Sequence, residues 1–129
     1  MMRVMMAGVL GLSLFAAPAF SEPALGLWLT EADRKGQVAH VSIQKCASAL
    51  CGKIVKVFSP AGQEISHKNV GRMIFWGVTP TGGGAYQGRA LVPAYNTEYD
   101  AEMKLSGNQL TVGGCKGPIC QSQTWKRVK

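Results

Sequence analysis

Two pairs of cysteines have the most definite chemistry in this sequence. Cys46 and Cys51 are separated by four residues, and Cys115 and Cys120 repeat that spacing. Such thiols could bind a metal, act as a redox pair or form disulfides. Zinc ligands usually come as Cys-x2-Cys or with nearby histidines, and redox pairs as Cys-x-x-Cys at the start of a helix. Neither pattern occurs here, so we expect structural disulfides, with the redox and metal roles as open alternatives.

The two histidines are the other candidates for chemistry. His40 lies among polar residues of an alternating segment, where a solvated side chain is expected. His67 lies in an irregular stretch, and functional groups favour loops, so a hydrolase that uses His67 with Glu64 is one alternative. No serine–histidine–aspartate spacing, G-x-S-x-G motif or phosphate-binding glycine loop accompanies them. We therefore predict no catalytic residue, no metal and no cofactor.

The first 21 residues predict a secretory signal peptide. Arg3 precedes an apolar run that is too short to span a bilayer comfortably, and small residues follow it. Cleavage is expected after Ala19 or after Ser21, and the second position is favoured. An uncleaved N-terminal anchor is the alternative. Removal of residues 1–21 leaves residues 22–129, enough for a single small domain that is periplasmic or secreted.

Export determines what we expect of the thiols, because paired cysteines form disulfides in an oxidising compartment. Cysteines that flank a hairpin loop face each other across two antiparallel strands at a distance that a disulfide can bridge. We therefore predict two local bridges, Cys46–Cys51 and Cys115–Cys120, each across a four-residue loop. Four cysteines permit three pairings, so this connectivity is a hypothesis.

The rest of the chain has the pattern of short strands and turns. Residues 98–105 are the clearest strand, because charged residues alternate there with apolar ones. Further strands are expected at residues 25–30, 37–45, 53–58, 72–78, 85–92, 109–112 and 121–128, with a loop at 63–70. About eight strands at hairpin spacing are typical of an antiparallel barrel or sandwich. The two cysteine-containing turns follow the second and seventh strands, so they should lie at opposite ends.

Two motifs indicate a particular kind of barrel. Gly26-Leu27-Trp28 and the late Arg127 resemble the lipocalin-like barrels, in which the tryptophan closes one end and the arginine packs over its ring. This motif is followed by C-x4-C-G at 46–52, a segment with glycine, proline and tyrosine at 88–99, and L-x-V-x-G-C to C-x4-W-x-R at 110–127. In this order the elements resemble the bacterial family called domain of unknown function 2147.

The resemblance covers nearly the whole mature chain. It implies an all-β fold: a small, lipocalin-like, antiparallel up-and-down barrel of about eight strands with two local disulfides. Within that barrel it assigns the closure of one end to Gly26, Trp28 and Arg127. It carries no established activity.

Charge and aromatic content limit the function classes. Without residues 1–21 the chain has 13 Lys and Arg against 7 Asp and Glu, and this net charge of +6 favours anionic envelope partners such as peptidoglycan or lipid headgroups. No basic run is present, so we do not expect nucleic-acid binding, and membrane contact would be peripheral at most.

An eight-stranded barrel has an interior that is filled by side chains or holds one small ligand, and for short strands in residues 22–129 we expect a filled or shallow interior. Trp76, Tyr86 and Tyr95 are expected to line one mouth, with His67 as a further ligand contact, although packed core positions are the alternative for the aromatic residues. Our hypothesis is a non-enzymatic envelope module that binds a small apolar ligand or an anionic envelope component. The alternative is a structural or interaction protein with a packed interior and no ligand.

Overall fold

The computed structural model describes residues 22–129, and the predicted signal peptide lies outside the described residues. Within those residues nine strands form one sheet. They are β1 (Gly26–Leu29), β2 (Val38–Cys46), β3 (Ala49–Phe58), β4 (Glu64–Ile65), β5 (Met73–Gly82), β6 (Ala85–Val92), β7 (Thr97–Ser106), β8 (Gln109–Lys116) and β9 (Ile119–Arg127). Within residues 22–129 no helix is long and apolar enough to cross a membrane.

The sheet closes on itself. Successive strands pair antiparallel from β5 to β9, β3 pairs with β2 and β5, and β1 pairs with both β2 and β9. Eight strands therefore form a ring, and the two-residue strand β4 is added at the edge of β3. The predicted all-β, up-and-down barrel of about eight strands is confirmed. The segment 63–70, predicted as a loop, differs only in containing β4.

Both predicted disulfides are confirmed, but the loops they span are shorter than expected. The Cα atoms of Cys46 and Cys51 lie 5.8 Å apart, and those of Cys115 and Cys120 lie 4.0 Å apart. The strands continue past the cysteines, so each turn has two residues, and Ala47 and Gly117 adopt the positive φ of such turns. The expectation of four-residue loops is wrong for this reason.

The two disulfides lie at opposite ends of the barrel, as the strand count predicts. The β2–β3 turn is at the end where β1 begins, and the β8–β9 turn is at the other. We call the first the closed end and the second the open end. Disulfides persist in oxidising environments, so this pair indicates a protein outside the reducing cytoplasm.

Alternating residues of each strand point inward, and their bulk fills the half of the barrel nearest the closed end. The largest fully buried side chains are Trp28, Val41, Phe75, Val78 and Leu110. Gly52 belongs to the same core, because the Phe75 ring occupies the space that any Cβ at this position would need.

Residues 22–25 and the end of β9 cover the closed end. The guanidinium carbon of Arg127 lies 4.4 Å from the centroid of the Trp28 ring, and its two terminal nitrogens donate to the carbonyls of Leu25 and Pro23 at 2.9 and 2.6 Å. The Trp28 indole N–H donates to the carbonyl of Ala24 at 2.9 Å. Gly26 has a φ of 131°, and a Cβ there would lie 2.5 Å from a backbone oxygen of the C-terminal residue.

Replacing Arg127 by Ala is expected to destabilise the barrel by about 2 kcal/mol, because the stacked cation and two charge-assisted hydrogen bonds are lost. Urea unfolding followed by tryptophan fluorescence measures this change. Arg34→Ala, which removes an exposed loop arginine, is the matched control and should leave the free energy of unfolding nearly unchanged. Equal stability of the two variants would contradict the closure role of Arg127.

His40 is half-buried on the outer face of β2 rather than solvated. Its ring packs edge-on against Phe58 with a centroid distance of 4.6 Å, and within the described chain its Nδ1 atom is buried without a hydrogen-bond partner. Burial, followed by the nearby charge of Lys56, lowers the pKa of His40 below 6.5. The folded state therefore favours the neutral imidazole.

This shift makes stability depend on pH. The unfolded chain takes up the His40 proton more readily, so the free energy of unfolding should fall as the pH drops through the unfolded pKa of about 6.5 and level off below the folded pKa. The His40→Gln variant should lose less free energy of unfolding between about pH 7.5 and about pH 5 than the unmodified protein does. Denaturation curves at both pH values measure this loss. Identical losses in the variant and the unmodified protein would refute the lowered pKa of His40.

Candidate ligand-binding site

A cavity of about 540 Å³ occupies the open end of the barrel. It lies between the loop that follows β1, the connection between β3 and β5, and the parts of β6 to β9 that are nearest the open end. Most of its wall is apolar and comes from inward-facing strand residues: Ala39, Ile54, Val57, Ile74, Val92, Tyr99, Val112 and Trp125. We call this space the mouth cavity.

Trp125 separates the mouth cavity from the packed core. Its side chain is 5% exposed, and its ring centroid lies 6.1 Å from that of Phe75 below it. The indole N–H donates to the Oε1 atom of Gln123 at 2.9 Å, which holds the ring across the interior. Between Trp125 and the open end the inward-facing side chains are shorter or more exposed, so this part of the barrel interior is unfilled.

A few polar groups interrupt the apolar wall. The Nδ1 atom of His67 accepts the backbone N–H of Asn69 at 3.0 Å, so in the neutral imidazole the proton resides on Nε2. The Asn69 Oδ1 atom is buried and has no hydrogen-bond partner within residues 22–129. These two side chains line the cavity and offer a donor and an amide to a polar end of a ligand.

The hydrolase pairing is not assembled. Glu64 lies on the edge strand β4, and its carboxylate pairs with Lys56 at 3.4 Å, while the Nδ1 atom of His67 is occupied by the backbone N–H of Asn69. In the part of the chain that the structure describes, no group of three or more His, Cys, Asp and Glu side chains could hold a metal ion.

The charged residues of the cavity lining are acidic. Glu31 and Asp33 lie at its edge, and the described lining contains no lysine or arginine. Glu31 accepts the backbone N–H of Thr124, and Asp33 accepts those of Lys35 and Gln37 at 2.8 and 2.9 Å. Burial raises the pKa of the Tyr99 hydroxyl, so that group stays neutral. An anionic group would therefore meet no counter-charge here.

A smaller side cavity of about 360 Å³ adjoins the mouth cavity. The two share Val92, Tyr99 and Gln121. Tyr95 and Ile119, which are 59% and 67% exposed, line the side cavity only. The lining therefore continues beyond the barrel rim along β7, β8 and β9, and Lys116 adds one basic side chain to it.

The structure does not bring Trp76, Tyr86 and Tyr95 to one mouth. Tyr95 and His67 lie at the open end. Trp76 faces outward, because it pairs with the outer-face residue Arg89 next to a register shift in β5. Tyr86 is the second residue of β6 and lies at the closed end, where it is buried and its hydroxyl donates to Glu22. Burial first, and then this bond, raise the pKa of Tyr86.

Four residues that line the cavity are absent from the site predicted from the sequence: Ala39, Ile54, Tyr99 and Trp125. Strand alternation places their side chains inside the barrel, so the sequence pattern does indicate that they point inward. Alternation does not indicate which interior layer remains unfilled, because that depends on how far each strand extends and on which side chains meet across the barrel.

The closed sheet and the cavity at one end define the chain as a lipocalin-like barrel. The chain belongs to a bacterial family described as "Uncharacterized protein conserved in bacteria (DUF2147)", whose model matches residues 26–127. This match confirms the resemblance in the sequence. No curated protein matches the chain.

One solved structure is similar in fold. It is protein HP1028 from the human pathogen Helicobacter pylori, described as belonging to the lipocalin family. The two share 13% sequence identity with a TM-score of 0.63, over 81% of this chain and 82% of that one. At this identity the likeness shows the fold alone.

The bond between Glu31 and Thr124 holds the β1–β2 loop against β9. Glu31→Ala should remove this acceptor, so the Thr124 amide proton should exchange with solvent at least about tenfold faster. Hydrogen exchange followed by NMR measures this rate. Glu102→Ala, at an exposed position of β7, is the control and should leave the Thr124 rate unchanged. Unaltered exchange in Glu31→Ala would show that the loop is held by other contacts.

Proposed function

We propose that this chain is a non-enzymatic binding protein of the bacterial envelope, periplasmic or secreted after removal of residues 1–21. It holds a small, mostly apolar ligand in the mouth cavity. One observation carries the proposal: the open half of the barrel keeps a cavity of about 540 Å³ with a largely apolar wall. Known small-molecule sites span roughly 300–1,000 Å³ and have this combination of apolar walls and few polar groups.

Burial of an apolar ligand is favourable because it removes both ligand and wall from water, at about 25 cal/mol for each Å² of apolar surface. His67 and Asn69 supply hydrogen bonds for one polar group at the ligand's end. Side-chain packing fills the closed half alone, and this favours a ligand over the alternative of a wholly packed interior.

The anionic envelope component suggested by the net charge is the second candidate. Its counter-charges are absent from the described lining of the mouth cavity, where the acidic side chains are Glu31 and Asp33. Such a component would therefore contact the basic residues of the outer surface or Lys116 in the side cavity. The hydrolase alternative has least support, because Glu64 is paired with Lys56 rather than His67.

A neutral apolar fluorophore, N-phenyl-1-naphthylamine, tests the proposal. It should bind with enhanced emission and take energy from Trp125 at the cavity floor. Ala39→Phe adds a ring that points into the cavity and should weaken binding by about tenfold or more. Gln44→Phe adds the same ring on the outer face of the same strand and should change binding by less than about twofold.

Native mass spectrometry of exported protein, purified without denaturant, supplies an independent measurement, and a retained small molecule is expected. Equal weakening in Ala39→Phe and Gln44→Phe would place the fluorophore outside the cavity and refute the proposal. No fluorophore binding together with no retained molecule would favour the structural or interaction role instead.

A further inference from the structure

The strand β9 is paired along its whole length on one side only. On that side β8 faces every residue from Ile119 to Lys126. On the other side β1 pairs at just two positions, Trp28 with Arg127 and Leu29 with Lys126. Among residues 22–129 no strand pairs with this side of Ile119–Gln123. Residues 115–124, which include the tip of the β8–β9 hairpin and most of β9, are all exposed.

The backbone groups along this edge face away from β8. The Thr124 N–H donates to Glu31, so it projects from the free side of β9. Backbone groups alternate in direction along a strand, so the N–H and C=O groups of Ser122 and Cys120 project to the same side. The 4.0 Å Cα separation of Cys115 and Cys120 agrees, because facing residues that exchange no backbone hydrogen bonds lie about 4.5 Å apart.

The edge lacks the devices that normally prevent strand addition. Exposed edges usually carry lysine, inward-pointing charge, proline or a bulge. The segment from Gly117 to Thr124 has no charged residue, its one proline lies in the turn, and the β8–β9 register is unbroken. In a chain of net charge +7, this uncharged stretch on an open strand edge stands apart from the rest of the surface.

Space for another segment lies beside this edge. The mouth cavity is lined on one side by Gln37, Val38 and Ala39 and on the other by Gln121 and Gln123. These two sides belong to β9 and to the start of β2, which β1 joins only nearer the closed end. A strand paired with Ile119–Gln123 would direct every second side chain into the apolar cavity.

We propose that the free edge of β9, Ile119–Gln123, is a docking site for an extended peptide segment of a partner protein, which pairs with it as an added strand. The segment has apolar side chains at alternate positions, because those side chains enter the mouth cavity, where they would take the place of the proposed small ligand. Five paired residues correspond to about 17 Å of strand, so the segment has roughly five to seven residues. Strand addition of this kind obtains affinity from backbone bonds and specificity from alternate side-chain pockets.

The side chains of the edge itself disfavour a second copy of this chain as the occupant. Antiparallel self-pairing of Ile119–Gln123 would direct Ile119, Gln121 and Gln123 of one copy toward the cavity of the other, and two of these three side chains are polar amides. Burying a polar group without a hydrogen-bond partner costs free energy. A partner segment with apolar side chains at alternate positions avoids this cost.

The probe is a fluorescein-labelled heptapeptide in which three valines alternate with two threonines, with a glutamate at each end. We expect its anisotropy to rise on binding, and the exchange of the Cys120 and Ser122 amide protons to slow by at least about tenfold. The control peptide has the same composition with the three valines consecutive, and should bind at least about tenfold more weakly. Absence of binding by the alternating peptide would overturn the proposal.

Ser122→Pro removes a donor from the free edge and leaves the bonds to β8 intact, so the alternating peptide should bind at least about tenfold more weakly. Ser122→Ala keeps the N–H and should retain binding. Circular dichroism checks the fold of both variants. If Ser122→Pro does not fold, the same question is answered on the peptide, by N-methylation of the amides that would face β9.

Equal binding of the methylated and unmethylated peptides would show capture by side chains alone and overturn strand addition. Sedimentation velocity of the protein without peptide is the final measurement. A concentration-dependent dimer whose Ser122 amide is already protected would replace the partner segment with a second copy.

Discussion

The shortness of β1 is the constraint on which the rest of the structure depends. A barrel has no strand edges only where every strand has two neighbours, and β1 joins β2 to β9 with four residues, Gly26–Leu29. Between Leu29 and the closed end the ring of strands is complete, and Trp28 lies inside it, fully buried. Between Leu29 and the open end the chain leaves the sheet as a loop, β9 has a free side, and the interior is unfilled. One short strand thus divides the barrel into a packed half and an open half.

The two halves are stabilised in different ways. The closed half has a continuous apolar core, a tryptophan covered by Arg127, and a chain start folded over the end. The open half has fewer buried side chains, and its hairpin β8–β9 projects into solvent with a disulfide across its two strands. A cross-link restricts such a hairpin even where no core packs against it. The second disulfide braces the β2–β3 turn at the opposite end.

Charge is distributed differently inside and outside the barrel. The basic residues lie on the outer surface, in part paired with acids, as in the contact of Arg89 with Asp100 at 2.6 Å. The mouth cavity has acidic residues at its edge and uncharged groups within. Long-range attraction to anionic material and the chemistry of the cavity are therefore separate properties of this molecule. Net charge alone therefore does not describe the polarity of the cavity.

The sequence by itself determined the fold class, the position of most strands, the family and the disulfide pairing. Those features depend on local alternation, turn residues and a few spaced motifs, which are visible in the order of residues. It also indicated Gly26, Trp28 and Arg127 as one group. The tertiary structure alone decided which end is open, which layer stays unfilled, and that Trp76 faces outward. Bulges in β5 and the early end of β1 set these outcomes, and both arise from pairing between residues far apart in the chain. Local sequence contains no record of such long-range pairing, so the cavity and the free edge of β9 became visible only in three dimensions.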